Sequence, residues 1–238
     1  MTTLKRGSKG SDVRTLQGYL GVDIDGIFGK RTEAAVKSFQ QSHNLLVDGI
    51  VGAKTWYVLT TGEIPKDFSI NCEDLKQYAS PHGSMVYGKD SSYSTYKSGG
   101  CGVVSFAIVH RAYGLAPAGE SPTKTIQRLG KYSWEHGYRP KNQGTSAGLF
   151  KTNGCKSTVT KSADVIESAL RSGKLVILLI KKGFPNGYGG TGHYIVAYGI
   201  KNGDVLLRDV GSSSASRQKA SLSRITSGLK NAYVMERG

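Results

Sequence analysis

A block of residues near the start of the chain returns 23 positions later. Val13-Arg14-Thr15-Leu16-Gln17 recurs as Val36-Lys37-Ser38-Phe39-Gln40, and Asp25-Gly26-Ile27-Phe28-Gly29 recurs as Asp48-Gly49-Ile50-Val51-Gly52. Thr32 and Thr55 match at the same offset. A constant offset across three separate blocks marks a repeated supersecondary unit. In each unit, apolar residues at helical spacing precede an Asp-Gly pair, which makes a tight turn with a positive-φ glycine. Three helices are expected. Val13, Leu16 and Leu20 form the apolar face of the first, Ala35, Val36 and Phe39 that of the second, and Trp56 and Leu59 that of the third. Ser11 or Asp12, then Thr32, then Thr55 or a neighbour are the candidate N-caps. This predicts a small all-α three-helix bundle over residues 1–62.

Thr60 to Lys66 is polar and carries Gly62 and Pro65, so a linker is expected at 63–67. The linker is short, which should keep the two domains close. The second domain, 68–238, reads helical first and strand-rich later. A helix should run from Cys101 to about Tyr113, with Gly114 as its stop. Ser121-Pro122 and Ser162 open two more. Leu175–Ile180 is a short β-branched apolar run, and 193–200 and 204–210 form a hairpin across Lys201-Asn202-Gly203. Ser221–Gly228 reads as loosely helical and Asn231–Met235 as a last strand.

Ser98-Gly99-Gly100-Cys101-Gly102 leads into Val103-Val104-Ser105-Phe106-Ala107-Ile108-Val109. The glycines clear space around one thiol. The helix that follows presents the positive end of its dipole and its unpaired N–H groups. Such a setting favours thiolate, the nucleophilic form of cysteine. Downstream, Gly192-His193 heads one strand and Asp209 ends the next. Cys101, His193 and Asp209 thereby supply a nucleophile, a base and an orienter. Each residue also has a plainer reading: Cys101 a buried thiol, His193 a hydrogen-bonded sheet residue, Asp209 a turn acid. His43, His82, His110 and His136 have no acid at useful spacing and read as surface or core residues.

The net charge of +15 points to a polyanionic partner. Residues 1–62 carry 8 basic and 5 acidic side chains, the remainder 24 and 12. No nucleic-acid recognition motif accompanies that charge, so nucleic acid is not an expected partner. No stretch approaches the ~18 apolar residues of a membrane span, so stable membrane insertion is not expected. The three cysteines do not form an even framework. Cys72 and Cys155 read better as small buried hydrophobes than as a disulfide pair. No CxxC, HExxH or paired-histidine spacing supports a metal site, and no cofactor is expected. Met1-Thr2-Thr3-Leu4-Lys5-Arg6 lacks the apolar core of a secretory signal, which predicts a protein held in the cytoplasm.

The repeated DGIFG and DGIVG, with the Leu-Gln and Phe-Gln pairs ahead of them, resemble the peptidoglycan-binding domain type 1 over residues 4–60. The blocks 99–109 and 192–209 resemble those of papain-fold, C39-like cysteine peptidases, an α+β fold with a helical lobe and an antiparallel sheet. That resemblance implies Cys101 as nucleophile, His193 as base and Asp209 as orienter. It also implies a glutamine a few residues ahead of the cysteine for the oxyanion, but Thr95, Tyr96 and Lys97 stand there. Gln77, 24 residues upstream, is the oxyanion candidate if it reaches round on a loop, and otherwise a surface polar residue. The combination is similar to phage endolysins. It implies a monomer, held in the host cytoplasm until lysis, that hydrolyses an amide bond of bacterial peptidoglycan through an acyl-enzyme. Peptidoglycan and anionic wall polymers would be its partners. An endopeptidase cutting the stem or cross-bridge is the first reading. An N-acetylmuramoyl-L-alanine amidase with the same triad and an inactive wall-binding protein are the alternatives.

Overall fold

The computed structural model describes residues 2–43, 45, 47–63, 65, 67–87, 95–139, 145–181 and 192–238. Ile64 and Lys66 of the expected linker lie outside the described residues.

The repeat folds as three helices, α1 (Ser11–Leu20), α2 (Lys30–Ser42) and α3 (Ala53–Thr61). Leu4, Val13, Leu16, Phe28, Val36, Val51 and Trp56 form their core. Phe39 is not part of that core; it stacks on His43 with ring centroids 4.0 Å apart. Short antiparallel bridges, Leu4 to Val51 and Lys9 to Ile27, tie the segments between helices.

The expected caps are corrected. Each helix is preceded by a glycine, Gly10, Gly29 or Gly52, with no side-chain cap. Ser11 is already helical, and Thr32 and Thr55 sit one turn inside. The two threonines serve the repeat differently. Gln17 Nε2 donates to Asp25 Oδ1 at 2.7 Å, to the Ile27 carbonyl at 3.1 Å and to Thr32 Oγ1 at 3.2 Å. Its Oε1 accepts from the Gly26 N–H at 2.8 Å. Gln40 repeats the pattern on Asp48, Ile50, Thr55 and Gly49 at 2.9, 2.9, 3.4 and 2.9 Å. A buried glutamine thus locks the Asp-Gly turn that follows its helix. The pattern requires glutamine, aspartate, glycine and threonine at one fixed spacing, which is why all four recur together.

Beyond the linker, β1 (Phe68–Ser69), β2 (Cys155–Thr160), β3 (Val176–Ile180), β4 (His193–Lys201), β5 (Asp204–Arg208), β6 (Lys219–Ser221) and β7 (Leu229–Arg237) form one antiparallel sheet. Its order is β2-β7-β3-β4-β5-β6, with β1 also on β4. Asn202 and Gly203 turn the β4–β5 hairpin with positive φ, 51° and 80°. The helices are α4 (Tyr96–Gly99), α5 (Cys101–Ala112), α6 (Pro122–Glu135), α7 (Ala163–Arg171) and α8 (Leu222–Gly228). Ser121, Ser162 and Ser221 cap α6, α7 and α8 by accepting the N–H three residues on.

Both faces of the sheet are covered. Leu175, Ile177, Tyr194 and Val196 pack with α5 and α6, while Val176, Leu178, Ile195 and Ala197 pack with α7 and α8. A strand buried on both faces shows no polar alternation, so β3 reads as an unbroken apolar run. Strand β2, by contrast, lies at a sheet edge with half its residues exposed, and its polar sequence gave no strand signal. The two modules touch where Lys54 Nζ of α3 lies 3.8 Å from the Phe68 ring centroid.

The glutamine locks should carry much of the stability of the repeat. Gln17→Ala or Gln40→Ala removes four bonds and strands buried partners, at a cost of about 1–3 kcal/mol. Hydrogen exchange of the full chain should show faster opening across 11–61 and unchanged protection in β3 and β4. Unchanged protection in both regions would contradict the assignment.

Candidate active site

Cys101 is the first residue of α5. The preceding short helix α4 is capped by Thr95, whose Oγ1 accepts from the Ser98 N–H, and it ends at Gly100. A Cβ on Gly100 would lie 2.5 Å from the Tyr96 carbonyl oxygen, and one on Gly102 would lie 2.6 Å from the Thr145 Cβ. Close approach of neighbouring groups therefore demands both glycines. This refines the expectation that they only clear access to the thiol. Residues Gly102 to His110 are all buried, so α5 is the central helix of its lobe and holds Cys101 rigidly at its N-terminus.

The sheet supplies the other two candidates. His193 begins β4 and is 5 % exposed; Asp209 follows β5 and is 1 % exposed. His193 Nε2 donates to Asp209 Oδ1 at 2.9 Å. The Cys101 thiol is hydrogen-bonded to the same histidine, which leaves Nδ1 as the ring nitrogen facing sulfur. Cys101, His193 and Asp209 thus form one chain across the seam between helical lobe and sheet.

The electrostatics follow from that chain. Burial alone would push the Cys101 thiol up. The hydrogen bond and charge of His193, with backbone hydrogen bonds at Tyr194 and Gly102, outweigh it and hold the thiol below its ordinary value. Burial would likewise depress His193, but bonds and charges from Asp209 and Cys101 raise it to about 9. Opposite displacements of the two groups favour the thiolate–imidazolium form over the neutral pair. Burial pushes Cys72 up, and Cys155 up to about 12. Both are free thiols in this structure.

Gln77 is bonded to the turn ahead of Cys101 and to the loop after β5, despite its distance in sequence. Its backbone N–H donates to the Val210 carbonyl at 2.8 Å, and its Nε2 donates to the Lys97 carbonyl at 2.8 Å. The side chain is half-buried between the loop after β5 and the turn leading to Cys101. Lys76 holds the same loop, its Nζ donating to the Asp209 and Ser212 carbonyls at 2.9 and 2.8 Å. Arg217 Nε lies 2.9 Å from Asp209 Oδ2. Neither Lys76 nor Arg217 was visible in the sequence, since each acts through a loop that only the fold brings near. The other four histidines stand apart. His110 is buried in α5 against Phe106, His82 binds the Lys76 carbonyl at 2.7 Å, His43 stacks on Phe39, and His136 binds the Tyr132 carbonyl at 3.0 Å.

An open groove of about 610 Å³ runs beside α4 and α6, lined by Met85, Tyr87, Tyr96, Gln127, Lys131 and Trp134 among others. Its floor residue Tyr87 shares a 2.8 Å hydrogen bond with Thr145, the residue packed against Gly102. Among the described residues, no group of three or more His, Cys, Asp or Glu side chains is placed to hold a metal ion. Among them, no helix is long and apolar enough to cross a membrane.

Residues 9–59 match the family described as "Putative peptidoglycan binding domain". The chain is 47 % identical over 62 residues to the zinc D-Ala-D-Ala carboxypeptidase of Streptomyces albus G, covering 23 % of this chain and 24 % of that protein. The chain spans about half the length of one curated relative and about a quarter or less of the others it matches. Among solved structures, a Burkholderia AP3 phage endolysin is 42 % identical, with 28 % of this chain and 27 % of that chain covered and a TM-score of 0.27. A C39-like peptidase of Bacillus anthracis is 12 % identical, with 73 % and 100 % covered and a TM-score of 0.42. The wall-binding resemblance of the repeat is therefore matched at the level of family, over residues 9–59.

The three thiols should separate by reactivity. Iodoacetamide near pH 6 should alkylate Cys101 and leave Cys72 and Cys155 unmodified, because only a thiol held low carries thiolate there. Peptide mass spectrometry of the full chain reads this directly. Equal labelling of all three, or none of Cys101, would contradict the ion pair.

Proposed function

We propose that the chain is a bacterial cell-wall hydrolase of the endolysin kind, cutting an amide bond in the peptide part of peptidoglycan with Cys101, His193 and Asp209. One observation carries this reading. A Cys–His–Asp chain, its histidine and aspartate buried and its cysteine partly exposed, with the thiol held low and the imidazole held high, shares a polypeptide with a matched peptidoglycan-binding domain. The net charge of +15 adds long-range attraction to the carboxylates and phosphates of a wall.

In the proposed reaction the Cys101 thiolate attacks the carbonyl carbon of the amide, and the C=O π electrons move to oxygen. The Cys101 N–H and the Gln77 Nε2 amide are the donors assigned to that oxyanion. The tetrahedral intermediate collapses as His193 gives its proton to the leaving nitrogen, forming a thioester and a free amine. Neutral His193 then takes a proton from water. The hydroxide displaces sulfur, releasing a carboxylic acid and regenerating the thiolate–imidazolium pair. Asp209 keeps the ring oriented through both halves. The groove beside α4 and α6 is the proposed cradle for the peptide strand, since its aromatic floor adjoins the turn that carries Cys101.

Three variants test the roles on purified Gram-positive walls. Cys101→Ala and His193→Ala should each lower the rate by at least about 10³-fold, because the members act as a unit. Gln77→Ala should lower kcat by about 10²–10³-fold with little change in KM, as expected for a donor engaged mainly in the transition state. Unchanged kcat in Gln77→Ala would remove that assignment. Mass spectra of the digest decide the bond. New amino termini within the stem or cross-bridge support the endopeptidase reading, and free lactyl carboxylates with whole stems that begin at their first alanine would replace it with the amidase. A wild-type digest with no new termini would end the proposal.

The division of labour is tested by residues 1–62 as a separate fragment. It should co-sediment with insoluble wall without cutting it, since the anchor acts by raising local concentration. A fragment that folds yet stays in the supernatant with walls of several species would remove the anchoring role.

A further inference from the structure

The Asp209 carboxylate is held on two sides. Oδ1 accepts from His193 Nε2 at 2.9 Å and from the Gly211 N–H at 2.9 Å. Oδ2 faces Arg217 Nε at 2.9 Å. Asp209 is 1 % exposed and the Arg217 side chain 14 % exposed, so water screens the pair poorly. Arg217 ends a 3-10 turn, Ala215–Arg217, that folds back on the strand delivering Asp209. The Leu207 N–H donates to the Gln218 carbonyl at 2.7 Å, and Gln218 Nε2 donates to the Ser212 carbonyl at 3.0 Å. The backbone thus sets the guanidinium in place.

A carboxylate held through one oxygen can turn about its Cβ–Cγ bond. Turning would carry Oδ1 away from the imidazole. A guanidinium on the second oxygen opposes that rotation and offsets the carboxylate charge in a dry setting.

We propose that Arg217 is a positioning residue of the Cys101–His193–Asp209 unit, fixing Oδ2 so that Oδ1 stays on His193 and adding a cation that favours the thiolate end of the chain. The inference rests on the reading of that unit as the reacting one. Among the described residues, the charged and titratable groups facing this unit include Cys101 from α5, Arg217 from the 3-10 turn, Lys76 from the segment ahead of α4 and, around the thiol, Tyr87 and Tyr194. Lys76 is paired with Asp74 at 2.7 Å and meets the Asp209 backbone carbonyl, not its carboxylate.

Loss of Arg217 leaves Asp209 more negative, which favours the imidazolium, but two larger effects oppose this. A cation leaves the neighbourhood of the thiolate, and the imidazolium loses part of its hold on Asp209. Both raise the pH at which Cys101 ionises. A residue needed only for folding would lower reactivity or melting temperature without moving that midpoint.

The test is the rate of Cys101 alkylation by iodoacetamide against pH in the full chain, for wild type, Arg217→Met, Arg217→Gln and Arg217→Lys. Arg217→Met should move the midpoint upward by about half to one pH unit. Arg217→Lys should recover at least half of the shift, and Arg217→Gln less. In an Asp209→Asn background, adding Arg217→Met should move the midpoint by less than it does in the wild type, because only the direct effect of the cation remains there. A wild-type midpoint in Arg217→Met, or equal shifts in the Met and Lys variants, would overturn the proposal. If Arg217→Met does not fold, as judged by circular dichroism, Arg217→Gln takes its place under the same criterion. The alkylation readout needs no wall. A shifted midpoint with no wall digestion by wild type would leave the role of Arg217 and remove the substrate reading. Wall digestion with an unshifted midpoint would do the reverse.

Discussion

The 2.9 Å bond between His193 and Asp209 is the interaction on which the arrangement of the second module turns. Both residues are almost fully buried, and burying them is costly unless their charge is met. The sheet meets it by running β4 and β5 as an antiparallel hairpin, so that the head of one strand lies beside the end of the other. The helical lobe then meets the free side of the imidazole with Cys101, at the N-terminus of its most buried helix. Each of the three side chains is stable in its place because the next one is there. The cost of assembling them is offset by the two apolar layers that clamp the sheet from both faces.

The first module solves a smaller problem with a repeated device. A bundle of about sixty residues has a modest core and depends on well-made turns. Gln17 and Gln40 supply this by bonding donor and acceptor of their amides into the Asp-Gly turns. These four positions are the ones that make the repeat visible, so the wall-binding family is recognised largely through residues that hold the turns. Tyr19, Ile24, Ile27 and Tyr57 are exposed and take no part in the bundle's core.

Most of this architecture could be read from the sequence where local chemistry and global need coincide. Gly114 after α5, Ser121-Pro122 ahead of α6, Ser162 ahead of α7 and the Asn202-Gly203 hairpin are each local signals, and the fold keeps them. The candidate chain Cys101–His193–Asp209 was legible because each member sits at the end of a strongly patterned element. The legibility failed where an element is polar or a contact is made by a loop. Strand β2 lies at a sheet edge and carries no alternation. Thr32 and Thr55 were read as caps because a threonine near a helix start is usually one, whereas here each turns inward to its glutamine. Gln77 meets Lys97 and Val210, and Lys76 and Arg217 meet Asp209, from polar stretches with no pattern, and these long-range bonds leave no trace in composition.

The proposal depends most on His193 holding the Cys101 thiol low enough to favour the ion pair. Ultraviolet absorbance of the thiolate, taken as the difference between wild type and Cys101→Ser across a pH series, measures this most directly. The account predicts a thiolate signal already present at pH 7, lost in acid well below the ordinary cysteine range, and shifted to higher pH in His193→Ala. A signal that first appears near pH 9 in the wild type, with the same midpoint in His193→Ala, would contradict it.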